Sequence, residues 1–277
     1  MRVNRIATSL GAAVVIAAMV APAGSAAAKG TERVAAVKPT VVLVHGAFAD
    51  SSSWSRVVQQ LQGNGYAVIA PANPLRGLAQ DSAYLASVLR GIDGPVVLVG
   101  HSYGGEVISN AAAGATQVKG LVYVAAIAPD KGESANDILG AFPGSELPNA
   151  TTTLPYTNAN GGAGTDLYIK PDKFREAFAG DLPAVQTDVM AATQRPVEAS
   201  SLGEPSAEAA WRDIPSWYLV ANEDKAIPPA AQRFMAQRAK SQTTEVKAAH
   251  AVAASRPDAV TQVILKATRT IESQPGR

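Results

Sequence analysis

A serine hydroxyl becomes a useful nucleophile only when the backbone lifts it clear of its neighbours and a base stands within hydrogen-bond reach. The segment Gly100-His101-Ser102-Tyr103-Gly104-Gly105 is built for the first of these tasks. It follows the apolar, β-branched run 95–99 and leads into a helix-like stretch, so Ser102 falls in the strand–turn–helix context that the pattern G-x-S-x-G requires. Glycine at 100 and 104 suits a turn so sharp that a Cβ would collide with neighbouring backbone. The chemistry this predicts is acyl transfer through a covalent Ser102 intermediate.

The base must come from three histidines. His101 adjoins the nucleophile on the same turn, and its side chain is expected to point away. His45 precedes Gly46, where a structural hydrogen bond is the expectation. His250, in Ala248-Ala249-His250-Ala251 after the last strand-like run and before the final helix, completes the chain order serine, acid, histidine. For the acid, Asp224 lies in Ala221-Asn222-Glu223-Asp224-Lys225 directly after the run 217–221. Glu223 is its nearest rival, and Asp130, beyond the run 118–125, is a further alternative. The acid would hold His250 in the tautomer that accepts the Ser102 proton and would stabilise the imidazolium that forms. A tetrahedral intermediate also needs peptide N–H donors aimed at its oxyanion. Tyr103, which follows the nucleophile, and Ala47, in His45-Gly46-Ala47-Phe48, are the two expected donors.

The elements that must position these groups are short apolar or β-branched runs at 40–44, 66–70, 95–99, 118–125, 217–221 and, more weakly, 243–247. Near-continuous hydrophobicity suits strands buried on both faces of a parallel sheet. Helical patterns occupy 52–62, 79–90, 106–113, 229–240 and 257–271, with Ser, Asp or Pro at their starts. Trp54, at a helix start, is expected in the core. The alternation predicts an α/β fold, a doubly wound and mainly parallel sheet with helices on both faces, whose ligands sit beyond the carboxyl ends of the strands. Between about 130 and 213 the alternation breaks down into a Gly-, Pro-, Asn- and Thr-rich stretch, too long for a plain loop and read as an inserted cap. It carries helical patches at 173–179 and 182–192, and 151–164 is expected to be its most mobile part.

The chain has 277 residues, 47% hydrophobic and 17% charged, which is material for one large core. Its basic first residues, the apolar run 6–21 and the small residues up to Ala28 read as a signal peptide over 1–28, leaving the hydrolase-like domain at 29–277 and predicting a secreted protein. The apolar run is shorter than the roughly 18–20 residues of a membrane span, so no stable membrane association is expected after cleavage. Removing 1–28 takes away Arg2 and Arg5 and no acid, leaving 22 basic against 23 acidic groups. This balance, with no basic patch, argues against a nucleic-acid partner. There is no cysteine, which excludes thiol catalysis and Cys-rich zinc sites.

On Val44-His45-Gly46-Ala47-Phe48, Gly100-His101-Ser102-Tyr103-Gly104-Gly105, Asp224-Lys225-Ala226-Ile227-Pro228-Pro229 and His250-Ala251-Val252, the chain resembles a branch of the α/β-hydrolase superfamily. That branch is the salicylate-esterase and pyrethroid-hydrolase-like group, which also contains hydroxynitrile lyases. Residues 168–171 and 193–196 share in the likeness. The resemblance implies the α/β-hydrolase fold, a Ser102–His250–Asp224 triad, no metal or cofactor, and cleavage of a small-molecule ester. The similar lyases carry Thr where this chain has Gly46, and Lys after the histidine where it has Ala251, so ester cleavage is expected ahead of cyanohydrin cleavage. Lactone or amide hydrolysis, or lyase chemistry, is the alternative on the same residues. The alternative of another class is a small-molecule binding protein that kept the scaffold and lost turnover. Neither the acyl and alcohol preference nor the oligomeric state is encoded in these motifs.

Overall fold

The computed structural model describes residues 37–273 apart from residue 159, so the expected signal peptide over 1–28 lies outside the described residues. In chain order the elements are β1 (Thr40–Val44), α1 (Ser55–Gly63), β2 (Val68–Ile69), α2 (Leu78–Arg90), β3 (Val96–His101), α3 (Tyr103–Ala111) and β4 (Val118–Val124). There follow α4 (Ala135–Ala141), α5 (Leu147–Ala150), β5 (Thr151–Thr157), β6 (Ala163–Ile169), α6 (Pro171–Phe178), α7 (Ala184–Thr193) and β7 (Val197–Glu198). The chain ends with β8 (Ser216–Ala221), α8 (Pro229–Arg238), β9 (Gln242–Val246), α9 (Val252–Ser255) and α10 (Pro257–Glu272). Six strands form one parallel sheet in the order β2-β1-β3-β4-β8-β9.

The apolar runs are explained by where their side chains go. In β3, Val96 and Leu98 join the core on one face with Val107 and Ile108 of α3, Leu85 and Leu89 of α2 and Met235 of α8. Val97 and Val99 point the other way, into a second core with Trp54, Val57 and Leu61 beside α1 and Val260, Val263 and Ile264 of α10. Both faces are covered, so alternation is absent from the sequence. The edges differ. β9 is mostly exposed and polar, and β2 shrinks from the expected 66–70 to two residues. No described helix is long and apolar enough to cross a membrane.

Two further expectations change in the structure. The helix after Ser102 begins at Tyr103 rather than at 106, and β3 runs on to His101. Glycines 104 and 105 do not delay the helix; they let its first turn press on the sheet. A Cβ on Gly104 would lie 2.5 Å from the Val44 carbonyl oxygen, and one on Gly105 2.5 Å from that of Ile127. The stretch 151–164, expected to be mobile, holds β5 and the start of β6. The two strands pair antiparallel from Thr151↔Ile169 to Thr157↔Ala163, and β7 adds to β6 as the third strand of a small sheet. The β-branched Thr151, Thr152 and Thr153 sit opposite Ile169, Tyr168 and Leu167, cross-strand pairs that support the hairpin. Pro155 is tolerated because β5 is an edge strand, where a missing N–H leaves no partner unpaired.

The interior of α3 carries one group whose charge state affects folding. Glu106 is fully buried, and neither carboxyl oxygen has a hydrogen-bond partner among the described residues. Burial pushes it well above its ordinary value of 4.5, and the carboxylates of Glu204 and Glu133 add to the shift; the Ala135 N–H, outside hydrogen-bonding geometry, opposes it weakly. Burial therefore favours the protonated form of Glu106 in the folded chain. Because the folded value is the raised one, its contribution to stability is complete below 4.5 and is lost as pH rises from there towards the folded value. Glu106→Gln, a neutral isostere, should unfold at higher denaturant than the parent at pH 8 and at nearly the same denaturant at pH 4. Equal midpoint differences at the two pH values would show that Glu106 does not ionise on unfolding.

Candidate active site

The position of Ser102 follows from steric crowding at the end of β3. Ser102 has φ 55° and ψ −129°, a strained conformation for a residue with a side chain. It is over-determined by its surroundings: its carbonyl accepts from Gly105 N at 2.9 Å and Ile127 N at 3.0 Å. A Cβ on Gly100 would meet the Gly104 carbonyl oxygen at 2.5 Å, which is why that position must be glycine.

Ser102 Oγ lies 2.9 Å from His250 Nε2, and His250 Nδ1 lies 2.7 Å from Asp224 Oδ2. The carboxylate can only accept, so Nδ1 carries the proton and Nε2 presents its lone pair to the serine hydroxyl. Asp224 Oδ1 accepts from the Ala226 N–H at 2.8 Å and the Ile227 N–H at 2.9 Å, while Oδ2 also accepts from Gln232 Nε2 at 2.8 Å. His250 and Asp224 are 1% and 4% exposed against 8% for Ser102, so the serine is the most accessible of the three.

Of the three carboxylates weighed from the sequence, only Asp224 touches His250. Glu223 turns outward to Lys247 Nζ at 3.6 Å. Asp130 is engaged by Arg212, whose Nε donates to it at 3.0 Å and whose guanidinium holds its carboxyl below the usual range. His45 is locked in the backbone: Nδ1 donates to the Gly46 carbonyl at 2.9 Å and Nε2 accepts from Asn73 N at 3.0 Å. Burial lowers its pKa to about 4, so it stays neutral.

His101 does more than point away from Ser102. Its Nε2–H donates to the His250 carbonyl at 2.9 Å and its ring packs against that of His250, centroid to centroid at 4.7 Å. Burial, reinforced by the neighbouring His250, lowers its pKa to about 3, so it is a neutral prop for the backbone of the base. Phe178, at the end of α6, sets its ring edge-on to His250 at 4.8 Å, and its carbonyl accepts from Ala251 N at 2.9 Å. The segment between β4 and β8 thus shields the imidazole from water. Neither His101, Phe178 nor Gln232 carries a spacing signal. The one hint for Gln232 is a polar residue among Ala231, Met235 and Ala236 on the buried side of α8.

Ala47 and Tyr103 follow the two points where the backbone closes on Ser102. No hydrogen bond among the described residues uses either N–H, which leaves both free to serve a ligand. The loop holding Ala47 is tight against Ser102, because a Cβ on Gly46 would lie 2.5 Å from Ser102 Cβ and 3.1 Å from its Oγ. Gly46→Ala must therefore displace either the loop or the serine. Losing one oxyanion donor costs roughly 10²–10³ in kcat, and a fall of that order, with KM little changed, is expected for this variant. Steady-state kinetics with an activated ester would check it; an unchanged kcat would show that the loop does not touch the reacting group.

An elbow serine at the end of a central parallel strand, with histidine and aspartate on loops after the last two strands, defines the α/β-hydrolase class of enzymes. The chain belongs to the Alpha/beta hydrolase family, whose model matches residues 41–263. It is 28% identical over 252 residues to the pyrethroid hydrolase of Sphingobium wenxiniae, covering 81% of this chain and 85% of that protein. It is 27% identical over 221 residues to methylesterase 1 of Arabidopsis thaliana, covering 72% and 83% of the two chains. The crystal structure of polyneuridine aldehyde esterase superposes with a TM-score of 0.72 at 21% identity, over 83% of this chain and 99% of that one. These relatives fall within the branch that the motifs resemble.

Proposed function

We propose that the chain is a secreted carboxylic-ester hydrolase acting through a Ser102 acyl-enzyme. The observation that carries this reading is the unbroken relay from Ser102 Oγ to His250 Nε2 at 2.9 Å and from His250 Nδ1 to Asp224 Oδ2 at 2.7 Å. His250 takes the hydroxyl proton as Oγ attacks the ester carbonyl, and the N–H groups of Ala47 and Tyr103 receive the oxyanion. Nε2–H then protonates the leaving alkoxide, and the same nitrogen deprotonates the water that releases the acid. Asp224 orients the imidazole through Nδ1 and stabilises the imidazolium. The names of the relatives, a pyrethroid hydrolase and two esterases, point to small-molecule esters. Secretion rests on the leader-like residues 1–28 alone, and amino-terminal sequencing of the exported protein tests it.

Cyanohydrin cleavage is disfavoured by the same geometry. A side chain at 46, where the lyases carry Thr, would overlap Ser102, and Ala251 supplies no ammonium beside the base. The decisive experiment combines p-nitrophenyl acylate turnover with a fluorophosphonate probe. A burst of p-nitrophenol and an adduct on Ser102 are expected. A folded protein that neither turns over the ester nor takes the probe is a binding protein on this scaffold, and the proposal falls.

A further inference from the structure

We propose that Gln232 is a positioning residue of the hydrolytic site: its side-chain amide sets the orientation and the basicity of the Asp224 carboxylate. The inference rests on the Ser102 acyl-enzyme reading above. Its starting point is an asymmetry in how the acid is held. Oδ1 is fixed by two peptide N–H groups of the acid's own turn, those of Ala226 and Ile227. Oδ2, the oxygen that faces the base, has one other donor among the described residues besides His250, and that donor is Gln232 Nε2 at 2.8 Å from α8.

Gln232 is itself wholly buried and has no freedom to turn. Its Oε1 accepts from the Ala221 N–H at 3.0 Å, which forces the amide nitrogen to the other side. There Nε2 donates to Asp224 Oδ2 and to the Ile227 carbonyl, each at 2.8 Å. One planar amide thus ties together the end of β8, the acid and the turn after it. A flipped amide would set donor against donor at Ala221, so the orientation is set by the backbone.

The amide acts on the chemistry in two ways. It holds Oδ2 on the line to His250 Nδ1, and as a neutral donor it draws off part of the carboxylate's charge without a cation that would compete with the imidazolium. The other titratable groups around the pair make no hydrogen bond to the Gln232 side chain; Asp172, Arg175, Glu176 and Asp181 line the pocket beside Asp224. His101 and Tyr218 are buried and stay neutral, while Glu223 and Lys225 flank the acid but face Lys247 and Glu146. A changed pH profile in a Gln232 variant therefore reports on the Asp224–His250 pair.

The test uses the full chain with an activated ester, measuring kcat, KM, the pH dependence of kcat/KM, the rate of fluorophosphonate labelling and the melting temperature. Gln232→Met keeps the length and removes the donor. Its kcat should fall about tenfold with KM within about twofold, and the acid limb of kcat/KM should move to higher pH because an unshared carboxylate is more basic. Gln232→Glu retains a donor only while protonated, so it should approach parent activity at low pH and lose it as pH rises, a limb the parent lacks. A folded Gln232→Met variant with parent kcat and an unmoved acid limb overturns the proposal. Should Gln232→Met fail to fold, a Gln232→Glu profile identical to the parent's overturns it equally. If activity survives loss of the Ser102 hydroxyl, the acyl-enzyme reading itself is wrong; Ser102-dependent activity that ignores Gln232 removes only the present inference.

Discussion

Replacing Ser102 by alanine is expected to lower kcat for ester hydrolysis by roughly 10⁴- to 10⁶-fold, because the serine of such a triad cannot be bypassed by its partners. The residual rate would come from the Ala47 and Tyr103 donors and from substrate binding. Folding should be unaffected. Both serine and alanine carry a Cβ at the strained φ of 55°, and the Ser102 carbonyl keeps its bonds from Gly105 and Ile127. Among the described residues the hydroxyl's hydrogen bond is to His250 alone, so the imidazole loses one contact while Asp224 still orients it. An unchanged melting temperature with activity at the detection limit and no fluorophosphonate adduct is the expected combination. Parent-level turnover in this variant would move the nucleophile elsewhere.

Asp224→Asn should cost roughly 10⁴ in kcat, and the structure indicates how. The two peptide N–H donors at Oδ1 oblige the asparagine to place its carbonyl there. Its NH₂ then stands where Oδ2 was, facing His250 Nδ1 and the Gln232 amide. Nδ1 must become the acceptor, so the imidazole proton moves to Nε2 and points at Ser102 Oγ, the wrong tautomer for taking a proton. Gln232 Nε2 is also left facing a donor, so a modest loss of stability should accompany the kinetic defect. Glu223→Gln and Asp130→Asn are the controls, and both should stay within about twofold of the parent, since these carboxylates serve Lys247 and Arg212. Steady-state kinetics on the three variants side by side would decide; a defect at Glu223 or Asp130 comparable to that at Asp224 would contradict the assignment.

Legibility in the sequence followed how local each constraint is. The elbow could be read because its requirements lie within a few residues: the Cβ that Gly100 lacks would meet the carbonyl oxygen of Gly104, four positions on. The strands could be read because burial on both faces leaves an unbroken apolar run, as in β3, while the exposed β9 showed only a weak signal. The hairpin of β5 and β6 was hidden. Its stability comes from pairing a threonine-rich strand with a mixed one and from ties to β7 such as Tyr156 to Glu198, none of which has a local pattern.

The sequence by itself therefore determined the doubly wound class, the elbow serine and the one histidine placed to serve it, because sterics and burial write those into residue types at short range. That Asp224 rather than its neighbour Glu223 meets His250 is decided by the tertiary structure, since adjacent carboxylates differ only in which way the turn after β8 points them. So are the roles of His101, Phe178 and Gln232. These contacts join residues from separate elements, His101 to His250 and Phe178 to His250 among them, and are set by how helices and strands pack rather than by any spacing along the chain.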